Sequence, residues 1–130
     1  MYDSSVDTLL LREPEHIRLQ LEPLLWRFGV DLAVWAHVHM YERTHPTYQQ
    51  RRVANGTTHL VLGSGGKSSG LRLWRLKPAW SAFRSKLYGL MRFVATRNAT
   101  GCLLVGSYIA DDANKTTLDS FSLARPGGSC

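Results

Sequence analysis

Cysteine is scarce. The 130 residues hold two, Cys102 and Cys130, which excludes a zinc motif built on paired cysteines and the multiply bridged framework of a small secreted domain. Cys102 lies in an apolar run, where a buried thiol is expected. Long apolar runs are missing as well: no stretch approaches the about 20 residues of a membrane-spanning helix. Residues Met1 to Asp7 lack the basic start and apolar core of a signal peptide. The glycine-rich stretch Gly63-Ser64-Gly65-Gly66 is no nucleotide loop, because a P-loop requires glycine where Val61 stands and the dinucleotide fingerprint fails at Ser68. No internal repeat or low-complexity segment is evident. Acidic residues are outnumbered 10 to 16, giving a formal charge of +6. That balance suits anionic ligands without choosing among phosphate esters, nucleic acid and acidic membranes.

What remains reads as a globular α/β chain. Hydrophobic residues make up 44% and charged residues 20%, ordinary for a soluble fold of one domain at most. Ile17, Leu21, Leu24, Leu25 and Phe28 share one face of a helix that opens near Glu13-Pro14, bends at Pro23 and stops at Gly29. Residues 30 to 35 form an apolar strand without strict alternation, as in a sheet covered on both faces. Met40 to Pro46 read as the loop after it, and Gln49 to Val53 as a basic linker. Thr58 to Leu62 form a second strand, Gly63 to Gly70 a flexible loop, and residues 71 to 87 an irregular or weakly helical region. Tyr88 to Thr96, Gly101 to Ala110 and Thr116 to Leu123 are three strands joined by short polar turns, which favours antiparallel pairing. Residues 125 to 130 are expected to form a disordered tail.

Where the first strand ends stands Ala36-His37-Val38-His39. Neutral imidazole is the commonest side-chain metal ligand, and ligands collect at the carboxyl ends of strands in open α/β sheets. The pair His37 and His39 can grip one metal or one each of two. His45 and His59 are more ordinary histidines, hydrogen-bonded or at the surface, and His16 sits solvated on the helix. Arg72, Arg75, Lys77, Arg84, Lys86 and Arg92 interleave with Trp74, Trp80, Phe83 and Tyr88, the pattern of a single-strand nucleic-acid platform. A solvated basic loop anchored by its aromatics is the favoured reading, so nucleic acid is disfavoured as a partner.

The order Glu22-Pro23-Leu24-Leu25, Val30-Asp31-Leu32 and Ala36-His37-Val38-His39-Met40-Tyr41-Glu42-Arg43 resembles the purple acid phosphatases, dinuclear metallophosphoesterases whose motif reads Gly-His-x-His-x-Tyr-Glu-Arg. His59 to Gly66, Trp80-Ser81-Ala82-Phe83-Arg84, Asn98-Ala99-Thr100 and Asp119 to Leu123 are similar to later family segments, so the likeness covers nearly the whole chain. It implies the C-terminal half, residues 1–124, of an αββα sandwich with an incomplete sheet and an antiparallel hairpin region. It also implies hydrolysis of phosphoric monoesters at low pH by iron paired with zinc, manganese or a second iron. In the family pattern His37 binds the divalent metal and His39 the ferric one. Tyr41 and Arg43 are possible cleft residues, although Glu42-Arg43 also reads as a structural charge pair. Ala36 replaces the motif's glycine, which would strain the backbone if that position needs a positive φ. No catalytic residue is assigned.

Met1-Tyr2 resembles the family sequence just after a His-x-Pro metal ligand, and the upstream Gly-Asp and Gly-Asn-His elements have no counterpart here. A complete dinuclear site needs seven or so donors. Two histidines imply a chain that depends on a missing N-terminal half and is inactive alone. The alternative is a noncatalytic remnant or basic module that binds anionic partners. All three asparagines, Asn55, Asn98 and Asn114, begin N-glycosylation sequons, which points to a secreted or lysosome-like compartment.

Overall fold

The helix and the strand that follows it are joined by a turn that the sequence dictates. In this computed structural model, which describes residues 2–5, 13–66 and 76–127, α1 spans Glu13–Arg27 with Pro23 inside it. Gly29 takes φ 60°, its N–H bonds to Trp26 O at 3.1 Å, and Val30 N bonds to Leu25 O at 2.9 Å. This is a Schellman cap, which a residue with a Cβ would strain. The chain folds as two units, Met1–Leu87 and Tyr88–Cys130.

The first unit holds β1 (Leu32–Trp35), β2 (Tyr41–Thr44), β3 (Thr47–Tyr48), β4 (Arg51–Arg52), β5 (Thr58–Leu62) and β6 (Ser81–Ser85). Four of them make a mixed sheet in the order β1-β5-β2-β6. β1 and β5 are parallel, with Trp35 opposite Val61, while β2 runs antiparallel to both β5 and β6. Four expectations are corrected here. Met40 to Pro46 is no loop, because Tyr41-Glu42-Arg43-Thr44 is an inner strand whose Tyr41 and Glu42 are fully buried. The basic linker is a hairpin, β3–β4, turning at Gln49 and Gln50. The region before residue 87 contains β6, and residues 71–75 lie outside the described residues. Nor is β1 covered throughout, since it ends the sheet and Val34 is 50% exposed.

α1 packs Ile17, Leu21 and Leu25 against Trp35 and His59 around a small cavity. Its apolar stripe is only partly hidden, with Leu24 47% and Phe28 71% exposed. The segment 2–5 is laid onto this unit by polar contacts. Tyr2 donates its hydroxyl to Glu22, Arg18 Nη1 reaches the other Glu22 oxygen at 2.9 Å, and the hairpin turn supplies Gln49 N to Glu22 and Gln50 N to Tyr2 Oη. Burial, with Glu22 beside it, raises the Tyr2 pKa, so the hydroxyl stays a donor. No helix among the described residues is long and apolar enough to cross a membrane.

The second unit is the antiparallel sheet β7-β8-β9, from Gly89–Asn98, Gly101–Ala110 and Thr117–Pro126. Its two short turns produce the expected pairing, and β9 extends through Arg125 and Pro126, beyond the point where a tail was expected. Residues 128–130 lie outside the described residues. Cys102 is disulfide-bonded rather than a thiol. Cys102 is half-buried near the start of β8 rather than enclosed in a core, which leaves its sulfur within reach of oxidation.

Candidate metal centre

Residues 36–40 connect the carboxyl end of β1 to the start of β2. Alternate side chains anchor this connection: Val38 is 7% exposed and Met40 is fully buried, and with Val61 of β5 they form one apolar cluster. Met40 N donates back to Val38 O at 2.8 Å, a three-residue turn centred on His39. His37 is left exposed and His39 half-buried.

The floor of the turn is the backbone of the glycine-rich stretch. Gly63 N donates to Met40 O at 3.1 Å, and a Cβ on Gly63 would lie 1.9 Å from Val38 O. Only glycine admits that approach, so the strand β5 and its glycine fix where the histidine turn sits. Residues 67–70 are outside the described residues.

The positive φ falls one residue later than the Ala36 substitution. His37 has φ 81°, whereas Ala36 is not among the residues with positive φ. The alanine is therefore tolerated without backbone strain, and the strain resides on a histidine, which enters this region more readily than β-branched residues do.

Tyr41 and Arg43 project from β2. Tyr41 is fully enclosed, with its ring 6.0 Å from Phe83, while Arg43 is half-buried. Glu42 holds the segment 2–5 to the sheet: its carboxylate accepts Ser4 N at 2.9 Å, Ser4 Oγ at 2.7 Å and Ser81 Oγ at 2.6 Å. Burial pushes its pKa up, and the bonds from Ser81 and Ser4 oppose the shift. Sequence reasoning missed this clasp because Ser4 and Ser81 stand 38 and 39 residues from Glu42. His59 accepts the Trp35 indole N–H at Nδ1, 3.0 Å away, and its Nε2 is buried without a partner among the described residues. Burial lowers its pKa to about 4. It is a neutral packing residue between Tyr2 and Trp35, as expected, and His16 is exposed beside Gln20. Two aromatics of the basic stretch serve packing, Trp80 edge-on to Tyr2 and Phe83 on Tyr41. Arg72, Trp74 and Arg75 lie outside the described residues.

Comparison with known proteins decides the family. The model of the C-terminal region, described as "Iron/zinc purple acid phosphatase-like protein C", matches residues 56–120, half of the chain. The chain belongs to the purple acid phosphatase family. It is 34% identical to an acid phosphatase type 7 of Danio rerio, over 81% of this chain and 26% of that protein. It is 38% identical to a probable inactive purple acid phosphatase 1 of Arabidopsis thaliana, over 60% of this chain and 14% of that protein. The purple acid phosphatase PPD1 from yellow lupin (Lupinus luteus) seeds superposes with a TM-score of 0.80 at 30% identity, covering 96% of this chain and 23% of the lupin chain. This chain thus spans a quarter or less of the length of these purple acid phosphatases and about a quarter of the zebrafish enzyme. The mixed sheet, the helix α1 and the antiparallel C-terminal strands are those of the family fold.

The donor set was tested against the iron and zinc in the family's description. Among the described residues no group of three or more histidine, cysteine, aspartate or glutamate side chains is placed to hold a metal ion. A structural zinc takes four ligands and a catalytic one three, so the described residues do not fit a complete centre.

Proposed function

We propose that the chain contributes the histidine turn of a phosphoric monoester hydrolase, with His37 on the divalent metal and His39 on the ferric one, and that it is inactive without the N-terminal part of such a domain. The observation that carries this reading is the His37-Val38-His39 turn, buried at Val38 and Met40 and seated on Gly63, at the carboxyl end of a strand. A turn fixed from beneath, with His37 exposed and His39 half-buried, can lend donors to a site completed by other sequence. Membership of a family whose members include named acid phosphatases supports the reaction class. Tyr41, which follows the histidine turn directly at the start of β2, is proposed to shape the substrate cleft. Exposed Asn55, Asn98 and Asn114 and the disulfide at Cys102 suit a secretory compartment.

The test pairs metal analysis with hydrolysis of a chromogenic phosphate ester at acidic pH, for the chain alone and after joining it to the N-terminal part of a family member. The joined protein is expected to bind two metals and turn over substrate, and His37→Ala to abolish both. Turnover by the chain alone would overturn the reading. A second reading, a noncatalytic remnant, is favoured by the two-donor count and by relatives named inactive. A joined protein that binds metal without turnover would select it.

A further inference from the structure

At the far end of β2 from His37 and His39, backbone hydrogen bonds and strand register bring together the segments that carry four basic residues. His45 N donates to Trp80 O at 2.9 Å, and Val53 N to Pro46 O at 3.0 Å. In the β3–β4 ladder Thr47 faces Arg52, so the hairpin returns Arg52 to the flank of His45 and Pro46. From the other side β6 sets Phe83 opposite Arg43, and Lys77 Nζ rests on the carbonyl of Ala82 at 2.6 Å. Arg52 and Lys77 are exposed, Arg43 and His45 half-buried.

The electrostatics agree with the placement. Partial burial first, then the charges of Arg52 on β4, Arg43 on β2 and Lys77 ahead of β6, hold the His45 imidazole below its ordinary range. Among the described residues, the charges that shift it are those three cations. Like charges gathered on a surface repel, and an anion between them relieves that repulsion. Guanidinium groups offer paired N–H donors that match an oxyanion, and the lysine adds a point charge. We propose that Arg43, His45, Arg52 and Lys77 form a binding site for a small phosphate-bearing anion. Its occupant would offset the neighbouring cations, so His45 gains a proton on binding.

The experiment is titration of the chain with pyrophosphate in the presence of a chelator, followed by calorimetry and by the NMR signals of the histidine ring protons. Saturating pyrophosphate is expected to raise the His45 titration midpoint by about one unit and to leave exposed His16 where it was. Arg52→Gln and Lys77→Gln, both at exposed positions, are each expected to weaken binding about tenfold, with tryptophan fluorescence reporting that the fold persists. His37→Ala is expected to bind as the parent does. Absence of heat at about 10 mM pyrophosphate, four orders weaker than a micromolar site, would overturn the proposal, as would binding lost in His37→Ala. Parallel arms use vesicles containing phosphatidic acid and a single-stranded oligonucleotide. Capture of either through Arg52, with pyrophosphate failing to compete, would overturn the small-anion assignment.

Discussion

Acidification should loosen the first unit through His59. Its Nδ1 is occupied by the Trp35 indole and its Nε2 is buried without a partner among the described residues, so a second proton would place a charge in a site that has buried it away from water. The folded-state pKa of about 4, against an ordinary 6.5, means that the unfolded chain binds the proton first. Stability therefore rises with pH in this window. His59's contribution is whole above about pH 6.5, erodes as pH falls, and is gone below about pH 4. At 1.36 kcal/mol per unit the full effect is about 3 kcal/mol, and about 2 kcal/mol of it is lost by pH 5. His59 is 2% exposed, so solvent screening takes little from that figure.

Tryptophan fluorescence isolates this unit, since Trp26, Trp35, Trp74 and Trp80 all lie within Met1–Leu87. Urea unfolding at pH 7.5 and 5.0 should show the parent losing about 2 kcal/mol more than His59→Asn, in which the amide oxygen still accepts from Trp35. Ring-proton NMR of the folded parent gives the midpoint directly. An ordinary midpoint near 6.5, or equal acid losses in parent and variant, refutes the reasoning.

Three further outcomes follow from backbone geometry. His37→Gly should raise stability by about 1 kcal/mol in thermal unfolding, because glycine accepts the φ of 81° without cost, while removing one imidazole from metal titrations. Gln49 and Gln50 carry φ of 49° and 60°, the conformation of a type I′ hairpin turn that favours Asn-Gly, so the double change Gln49→Asn with Gln50→Gly should stabilise by about 1 kcal/mol. Gly63→Ala should cost about 2 kcal/mol or more, since its methyl would strike Val38 O. Backbone amide shifts at residues 37–40 should record the displaced turn.

The helix, β5 and the three C-terminal strands were legible because their signals are local: apolar spacing ending in Gly29, an apolar run ending in Gly63, and short polar turns between strands. β2 was hidden for a physical reason. Tyr41-Glu42-Arg43-Thr44 looks like a loop by composition, and becomes an inner strand because Glu42 finds donors in Ser4 and Ser81 and Thr44 Oγ1 accepts His59 N. Those partners are remote in sequence, so no window along the chain contains the explanation. Gln49-Gln50 likewise lacks the glycine that announces a tight hairpin. Its turn is held by Glu22 and Tyr2, which take the two amide protons. The histidine pair was visible from its spacing, whereas its support by Val38, Met40 and Gly63 depends on three strands meeting.

Glu42 tests whether the buried polar clasp and the buried histidine oppose one another. Burial raises the Glu42 pKa above its ordinary value, so the folded state takes up a proton before the unfolded chain does. The sign is then opposite to that of His59: folding gains stability as pH falls through the raised pKa, and loses it again as pH rises. In Glu42→Gln the carbonyl can still accept Ser4 N, and the amide can donate to the Ser4 and Ser81 hydroxyls, which turn to accept. The cost at pH 5 should stay within about 1 kcal/mol. With the opposing titration removed, the variant should lose more stability than the parent as pH falls from 7.5 through the carboxylate range in the same fluorescence-monitored urea series. Equal losses would mean that Glu42 stays ionised throughout, its three donors outweighing its burial.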